Sequence, residues 1–236
     1  MLQNCAAKLN GKHTYADYGL YVTNTNPVSP PEVRVNSIPI PGRNGNIDLT
    51  QALTGYTVYG NREIRLELGG KKREEEWAGF MSRFINEMHG KNVEVIFDED
   101  PQYYYVGRAA VEADYERGNT VARFTVSINA EPYKYDIQST TEPWLWDTFS
   151  FVDGIIRYYA SVIVDGEKDV RVIGSPMPVI PIMTASTAMT IRFEGEQYAL
   201  AEGINKVYDI VLYDQEYILK FTGNGTVSIN YRSGRL

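Results

Sequence analysis

Two histidines, His13 in an early polar segment and His89 at the end of a helical pattern, are all the imidazoles this chain can bring to catalysis or metal binding. A hydrolase triad or a multi-histidine zinc site needs several convergent groups, so each histidine is expected to have a structural role. For His89 the favourable interaction of a charged ring with a helix C-terminus suffices. Asp98-Glu-Asp100 could present oxygens to calcium, but it lacks the spaced acids and central glycine of an EF-hand loop and reads as a solvated turn. Gly69-Gly-Lys71 and Gly223-Asn-Gly225 lack the phosphate-loop pattern and read as punctuation, the second as the turn of a terminal hairpin. A glycosidase needs two carboxylates across a cleft, a pairing that leaves no fixed spacing, and nothing singles out such a pair here. Trp144 and Trp146, with Tyr158 and Tyr159 nearby, could form an aromatic platform for sugar rings; the plainer alternative is that they cover the start of a second β unit. No cofactor or metal site is expected, and no enzymatic activity.

The elements that would position these residues are mainly strands. Tyr 18 against Phe 8, with Gly 20 and Pro 11, is a composition suited to pleated, half-buried surfaces interrupted by turns. Glu32 to Asn36 alternates as a strand, Ile38 to Pro41 follows as an extended edge, and Asn44-Gly45 supplies a tight turn. Tyr56 to Tyr59 and Arg62 to Leu68 continue the pattern, with Ile64, Leu66 and Leu68 on one face. One helix is predicted from about Lys71 to His89, because Trp77, Phe80, Met81, Phe84, Ile85 and Met88 fall on a single stripe and Gly90 can end it. An antiparallel meander follows to Ile128. From Glu131 to Pro143 the alternation stops, which gives a first domain over 1–135, a linker over 136–143 and a second domain over 144–236. That second domain lacks a helical stripe and reads as a β-sandwich built from Ile155 to Val164, Val170 to Ile173, Ala188 to Phe193, Asn205 to Tyr213, Tyr217 to Phe221 and Thr226 to Tyr231.

Charge and cysteine usage narrow the partners. A formal net charge of -7 gives a general field that repels nucleic acid and anionic lipid. Cys5 is the single cysteine, which excludes an internal disulfide and fits folding in a reducing compartment. Met1 to Gly11 lacks the basic start and apolar block of an export signal, and no stretch of about 18 apolar residues occurs, so no membrane segment is expected.

Four N-terminal segments carry a resemblance. Leu9-Asn-Gly-Lys-His13, Asp17-Tyr-Gly-Leu-Tyr-Val22, Ile38-Pro-Ile-Pro-Gly-Arg-Asn-Gly45 with Ile47-Asp48, and Tyr59-Gly-Asn-Arg-Glu-Ile64 stand in that order before the helix, the meander and Glu131-Pro-Tyr-Lys-Tyr135. Together they resemble the N-terminal domain of the distal tail proteins of long, non-contractile-tailed phages (siphophages), over roughly residues 5 to 135. Pro178-Val-Ile-Pro-Ile182, Met189-Thr-Ile-Arg-Phe193 and Gly223-Asn-Gly-Thr-Val-Ser-Ile-Asn-Tyr231 are similar to that family's galectin-like sandwich. The resemblance implies a mainly β fold, with a sandwich or split-barrel-like ring domain carrying a packed helix and a galectin-like β-sandwich after it. It also implies a homo-hexameric hub in the virion tail tip, assembled in the host cytoplasm, between the tail tube protein and a tail-associated fibre or spike, with receptor-binding proteins as further partners. DNA would pass through the lumen without specific binding.

A ring subunit needs sheet edges and hairpins that pair with neighbours. The Pro39 to Asp48 hairpin and the strand around Tyr59 to Arg62 are the candidates, naming Pro39, Pro41, Arg43, Asn44, Tyr59 and Arg62 as contact residues; alternatively Gly42, Arg43 and Gly45 only shape a turn. The competing reading is a carbohydrate-binding adhesion module acting through Trp144 and Trp146.

Overall fold

The computed structural model describes residues 6–112, 116–117 (backbone only), 120–143 and 157–236. Cys5, Trp144, Trp146, part of the Arg117 to Asn119 turn and the start of the predicted Ile155 to Val164 strand lie outside the described residues. Contacts divide the chain into two compact units, Met1–Lys134 and Tyr135–Leu236.

The first unit contains β1 (Ala7–Leu9), β2 (Lys12–His13), β3 (Leu20–Val22), β4 (Ser37–Pro39), β5 (Asn46–Asp48), β6 (Arg62–Lys71), α1 (Glu74–Met88), β7 (Asn92–Phe97), β8 (Tyr103–Val111), β9 (Glu116–Arg117) and β10 (Val121–Ala130). Its main sheet runs β2-β1-β7-β8-β10-β6-β3, and β9 joins β10. Alternation sets the faces: Ile64, Leu66 and Leu68 are fully buried, while Glu63, Arg65 and Glu67 point outward. The side of β6 beyond β3 is closed by backbone bonds and by side chains. Asn24 accepts from the Glu67 amide at 3.1 Å and donates to the Arg65 carbonyl at 2.7 Å, and Ser29 exchanges hydrogen bonds with the backbone of Glu63.

Helix α1 covers the apolar side of this sheet with Trp77, Phe80, Met81, Phe84 and Met88, all buried. The Phe84 ring lies 5.3 Å from that of Phe124 on β10 and 5.2 Å from Tyr18, both edge to face. Glu74, Glu75 and Glu76 occupy the positive end of the helix, and the Arg73 amide donates to Glu76 at 3.3 Å. At the other end Gly90 takes φ +75°, a left-handed geometry that lets the chain reverse into β7. Ile85, expected on the buried stripe, is 40% exposed because it sits at the stripe's margin. The predicted strands at Glu32–Asn36 and Tyr56–Tyr59 reduce to one bridge, Val33 to Tyr59.

The second unit contains β11 (Lys134–Asp136), which starts at the boundary, then β12 (Val162–Ile173), β13 (Ile182–Ala185), β14 (Met189–Phe193), β15 (Glu196–Leu200), β16 (Gly203–Lys206), β17 (Glu216–Asn230) and β18 (Gly234–Arg235). Six of these strands form one sheet, β15-β14-β17-β13-β16, with β12 along the other side of β17. Both units are mainly β with curled sheets, and α1 is the one helix among the described residues.

The hairpin expected at Gly223-Asn-Gly225 is instead the middle of β17, paired with Gly166, Asp165 and Val164 of β12. On its other edge β17 pairs with β14 up to Thr222 and with β13 from Val227, and the turn joining β13 to β14 crosses the gap. A Cβ on Gly223 would lie 2.7 Å from that of Met189, and one on Gly225 would lie 2.5 Å from Ser186 Oγ. The glycines give the crossing turn room. The strand predicted over Asn205 to Tyr213 is short, with only bridges at Leu212 and Tyr213 beyond it. Val162 to Ile173, expected as two strands, is one.

Residues 136–143, read as a linker from the sequence, bond to the second unit. Thr140 is buried; its Oγ1 donates to the Ile229 carbonyl at 2.8 Å and accepts from the Tyr231 amide at 2.9 Å. Burial pushes the Asp136 carboxyl above its usual range, against the opposing pull of Arg157, Arg235, Ser233 and Arg232. Arg157 Nη1 stands 3.8 Å away, too far for a short ion pair to cancel the loss of hydration. A raised folded-state pKa means that the folded unit holds this proton more tightly than the unfolded chain. The associated stability is full below the ordinary carboxyl value of about 4 and is lost as pH rises through the folded value. Asp136→Asn is therefore expected to gain stability relative to wild type across that window and hold a constant difference above it. Urea unfolding at a series of pH values checks this, and a difference that shrinks with rising pH contradicts it.

Candidate functional site

The two histidines and the acidic turn singled out for chemistry are engaged in local hydrogen bonds and ion pairs. His13 Nδ1 accepts from the backbone amides of Tyr15 and Ala16 at 3.1 and 3.0 Å, and its Nε2 meets Asp98 at 2.9 Å. His89 Nδ1 accepts from the Val111 amide at 3.0 Å. The acidic turn is likewise occupied, Asp98 by His13 and Asp100 by Lys134 at 2.6 Å. Among the described residues no cluster of His, Cys, Asp and Glu could hold a metal ion, and no helix is long and apolar enough to cross a membrane.

The outstanding feature is an arm between the bridges Val28 to Ile64 and Val33 to Tyr59. Its root is firm: Val28 packs on the core, the Arg65 amide donates to the Pro27 carbonyl at 2.7 Å, and the Gly60 amide donates to the Glu32 carbonyl at 2.7 Å. Beyond the root, residues 32–55 contain no buried side chain. The arm is shaped by local hydrogen bonds. Strands β4 and β5 pair Ser37 with Asp48 and Pro39 with Asn46, and Gly42 and Gly45 take φ +80° and +79° in the turn. Thr50 Oγ1 accepts from the Asn36 amide at 3.1 Å, and the Leu49 amide donates to the Asn36 carbonyl at 2.7 Å. The Thr50 hydroxyl, and the Thr50 amide donating at 2.8 Å, hold the Asp48 carboxyl below its usual range.

Two strands alone are marginally stable in water, and β4 and β5 pair only with each other. The arm exposes Val35 at 68%, Ile38 at 49% and Leu53 at 93%. Covering a side chain such as Leu53 would contribute about 1.5 to 3 kcal/mol. Glu32 and Asp48 are balanced by Arg34 and Arg43, so this surface is neutral on an acidic chain. Its charges cancel, its two strands pair with no other among the described residues, and its apolar side chains face solvent.

Pro39, Pro41, Arg43 and Asn44 all lie on this hairpin and are exposed. Tyr59 sits half-buried at the root, edge-on to Tyr133 at 5.9 Å. Arg62 is not on the surface: it is 5% exposed, its guanidinium 5.6 Å from the Tyr105 ring and its Nε without a partner. Burial lowers its pKa, with Tyr105 opposing. The position had a signal, since Arg62 shares the inward parity of Ile64, Leu66 and Leu68. Sequence reasoning missed Val33, Val35 and Leu53 as surface; the first two alternate as though facing a core.

No family model and no curated protein matches the sequence. The structure is similar to the crystal structure of SPP1 Dit (gp 19.1), a paradigm of the hub adsorption apparatus in phages that infect Gram-positive bacteria. The TM-score is 0.57 at 15% identity, over 98% of this chain and 99% of that one. The chain has a Dit-like fold.

Proposed function

We propose that this chain is a distal tail protein, a subunit of a hexameric hub that joins the tail tube of a long-tailed phage or prophage particle to the fibre or spike of its tip. The observation that carries the reading is the arm: an apolar, neutral hairpin with no core of its own, on a chain with a Dit-like fold. Its uncovered edges and side chains match what a subunit offers an identical neighbour, and a head-to-tail contact of this kind closes into a ring when its rotation permits. In this reading the protein resides in the virion tail and works by assembly without catalysis. An acidic chain also suits a lumen that lets DNA pass, because phosphates gain nothing from such a wall.

Arg43 stands at the exposed turn of the hairpin, where reversing its charge leaves the fold untouched and meets any contact directly. Light scattering of the wild-type protein is expected to give a mass several times the 26.7 kDa of one chain. Arg43→Glu is expected to weaken self-association at least about tenfold. An unaltered assembly removes Arg43 from the contact. A wild-type chain that stays single at every concentration, alone and with its tail-tip partner, contradicts the hub.

A further inference from the structure

A second surface, on the other unit, is laid out for a ligand. On the outer face of β12, β17, β14 and β15, Asp169, Lys220, Arg192 and Gln197 stand directly opposite one another in one row across four strands. Glu167, Thr222 and Thr190 form the next row on the same face. Strand spacing places a polar group about every 4.8 Å along each row. The reverse side of these strands is solid core, with Phe221 and Ile191 buried, so the platform is rigid. Both rows border a depression of ≈ 420 Å³, in the size range of small-molecule sites.

The charges in this depression break a rule of sheet design. Lys220 and Arg192 are direct cross-strand neighbours, and like charges in that position repel. Asp169 answers Lys220 at 3.3 Å. Lys168 alternates to the reverse face of β12, so the rows hold two cations and two carboxylates, and with Lys220 paired to Asp169 the Arg192 guanidinium is the cation left without an ion pair among the described residues. Local violations of this kind are expected where a surface serves a ligand. The remaining groups, two carboxylates, two threonine hydroxyls and one amide, both accept and donate, which suits a molecule rich in hydroxyls.

We propose that this depression binds an acidic carbohydrate, a polyhydroxylated chain bearing carboxylate or phosphate groups. The anion lies between Arg192 and Lys220, and sugar or polyol hydroxyls bond to Glu167, Asp169, Thr190, Thr222 and Gln197. The site stands independently of the hub reading and does not involve the arm.

Calorimetric titration of the full chain tests it with four probes: an oligogalacturonate, a poly(glycerol phosphate), a neutral cello-oligosaccharide and a hexaglutamate peptide. One or both acidic carbohydrates are expected to bind at least about tenfold more tightly than the neutral one and the peptide, and the tighter of the two identifies the anion. Arg192→Ala and Lys220→Ala are each expected to weaken that binding about tenfold or more, and Glu167→Gln to weaken it less. All three side chains are exposed, so unchanged circular dichroism is the control for folding. No binding by either acidic carbohydrate, equal or tighter binding of hexaglutamate, or affinities insensitive to Arg192 and Lys220 overturns the proposal.

Discussion

Phe84→Ala is expected to cost the first unit about 3 to 5 kcal/mol, a large part of the 5 to 15 kcal/mol that holds a typical domain together. The ring is 1% exposed and sits where the helix meets the sheet, in contact with Tyr18, Phe80 and Phe124 at centroid distances of 5.2, 5.8 and 5.3 Å. These neighbours come from the β3 approach, the helix and β10, so they cannot collapse together into the space left behind. The cavity cost therefore adds to the lost transfer free energy. Urea unfolding followed by the helical dichroism, which α1 supplies, measures the effect in this unit. A midpoint within experimental error of wild type would mean that the helix does not close the core.

Gly107→Ala is expected to cost about 3 kcal/mol by the opposite route, overpacking. Gly107 lies on β8 opposite Ala130 of β10 and Val93 of β7. A Cβ there would come 2.5 Å from Ala130 Cα and 2.6 Å from the Asn129 carbonyl oxygen, both backbone atoms of a central strand. Neither can rotate away, in contrast to the end of a flexible side chain. The substitution must push β10 off β8 and strain the register that runs on to β6. The measurement is the same urea midpoint; an unchanged value would mean that the two strands are further apart than this structure places them.

These two positions also show what could be read from the sequence. Phe84 was legible, because its spacing from Trp77, Phe80 and Met88 puts it on one helical stripe and Gly90 closes that helix. The alternation of Ile64, Leu66 and Leu68 likewise sets the buried face of β6. Gly107 was silent, since the requirement for a glycine comes from strands tens of residues away. The same holds for Gly223 and Gly225: the string reads as a turn, and only the passage of Ser186 to Met189 over β17 makes it a crossing. At the arm, turn chemistry revealed the Pro39 to Asp48 hairpin. Whether Val33 and Val35 face a core or solvent depends on what lies opposite them, and alternation alone does not contain that. The depression on the second unit was illegible for a related reason, since Asp169, Arg192, Gln197 and Lys220 become neighbours only through the order of four strands.

Replacing the arm tests assembly through it most directly. The Arg34 amide donates to the Val58 carbonyl at 2.9 Å, so residues 35–57 can be exchanged for an Asn-Gly turn without moving the root. Because that segment contains no buried side chain, the shortened chain is expected to unfold at the wild-type midpoint. Negative-stain images of the two proteins, each with the tail-tip partner, are predicted to show closed rings for wild type and only separate protomers for the shortened chain. Rings of the same size from the shortened chain would contradict assembly through the arm.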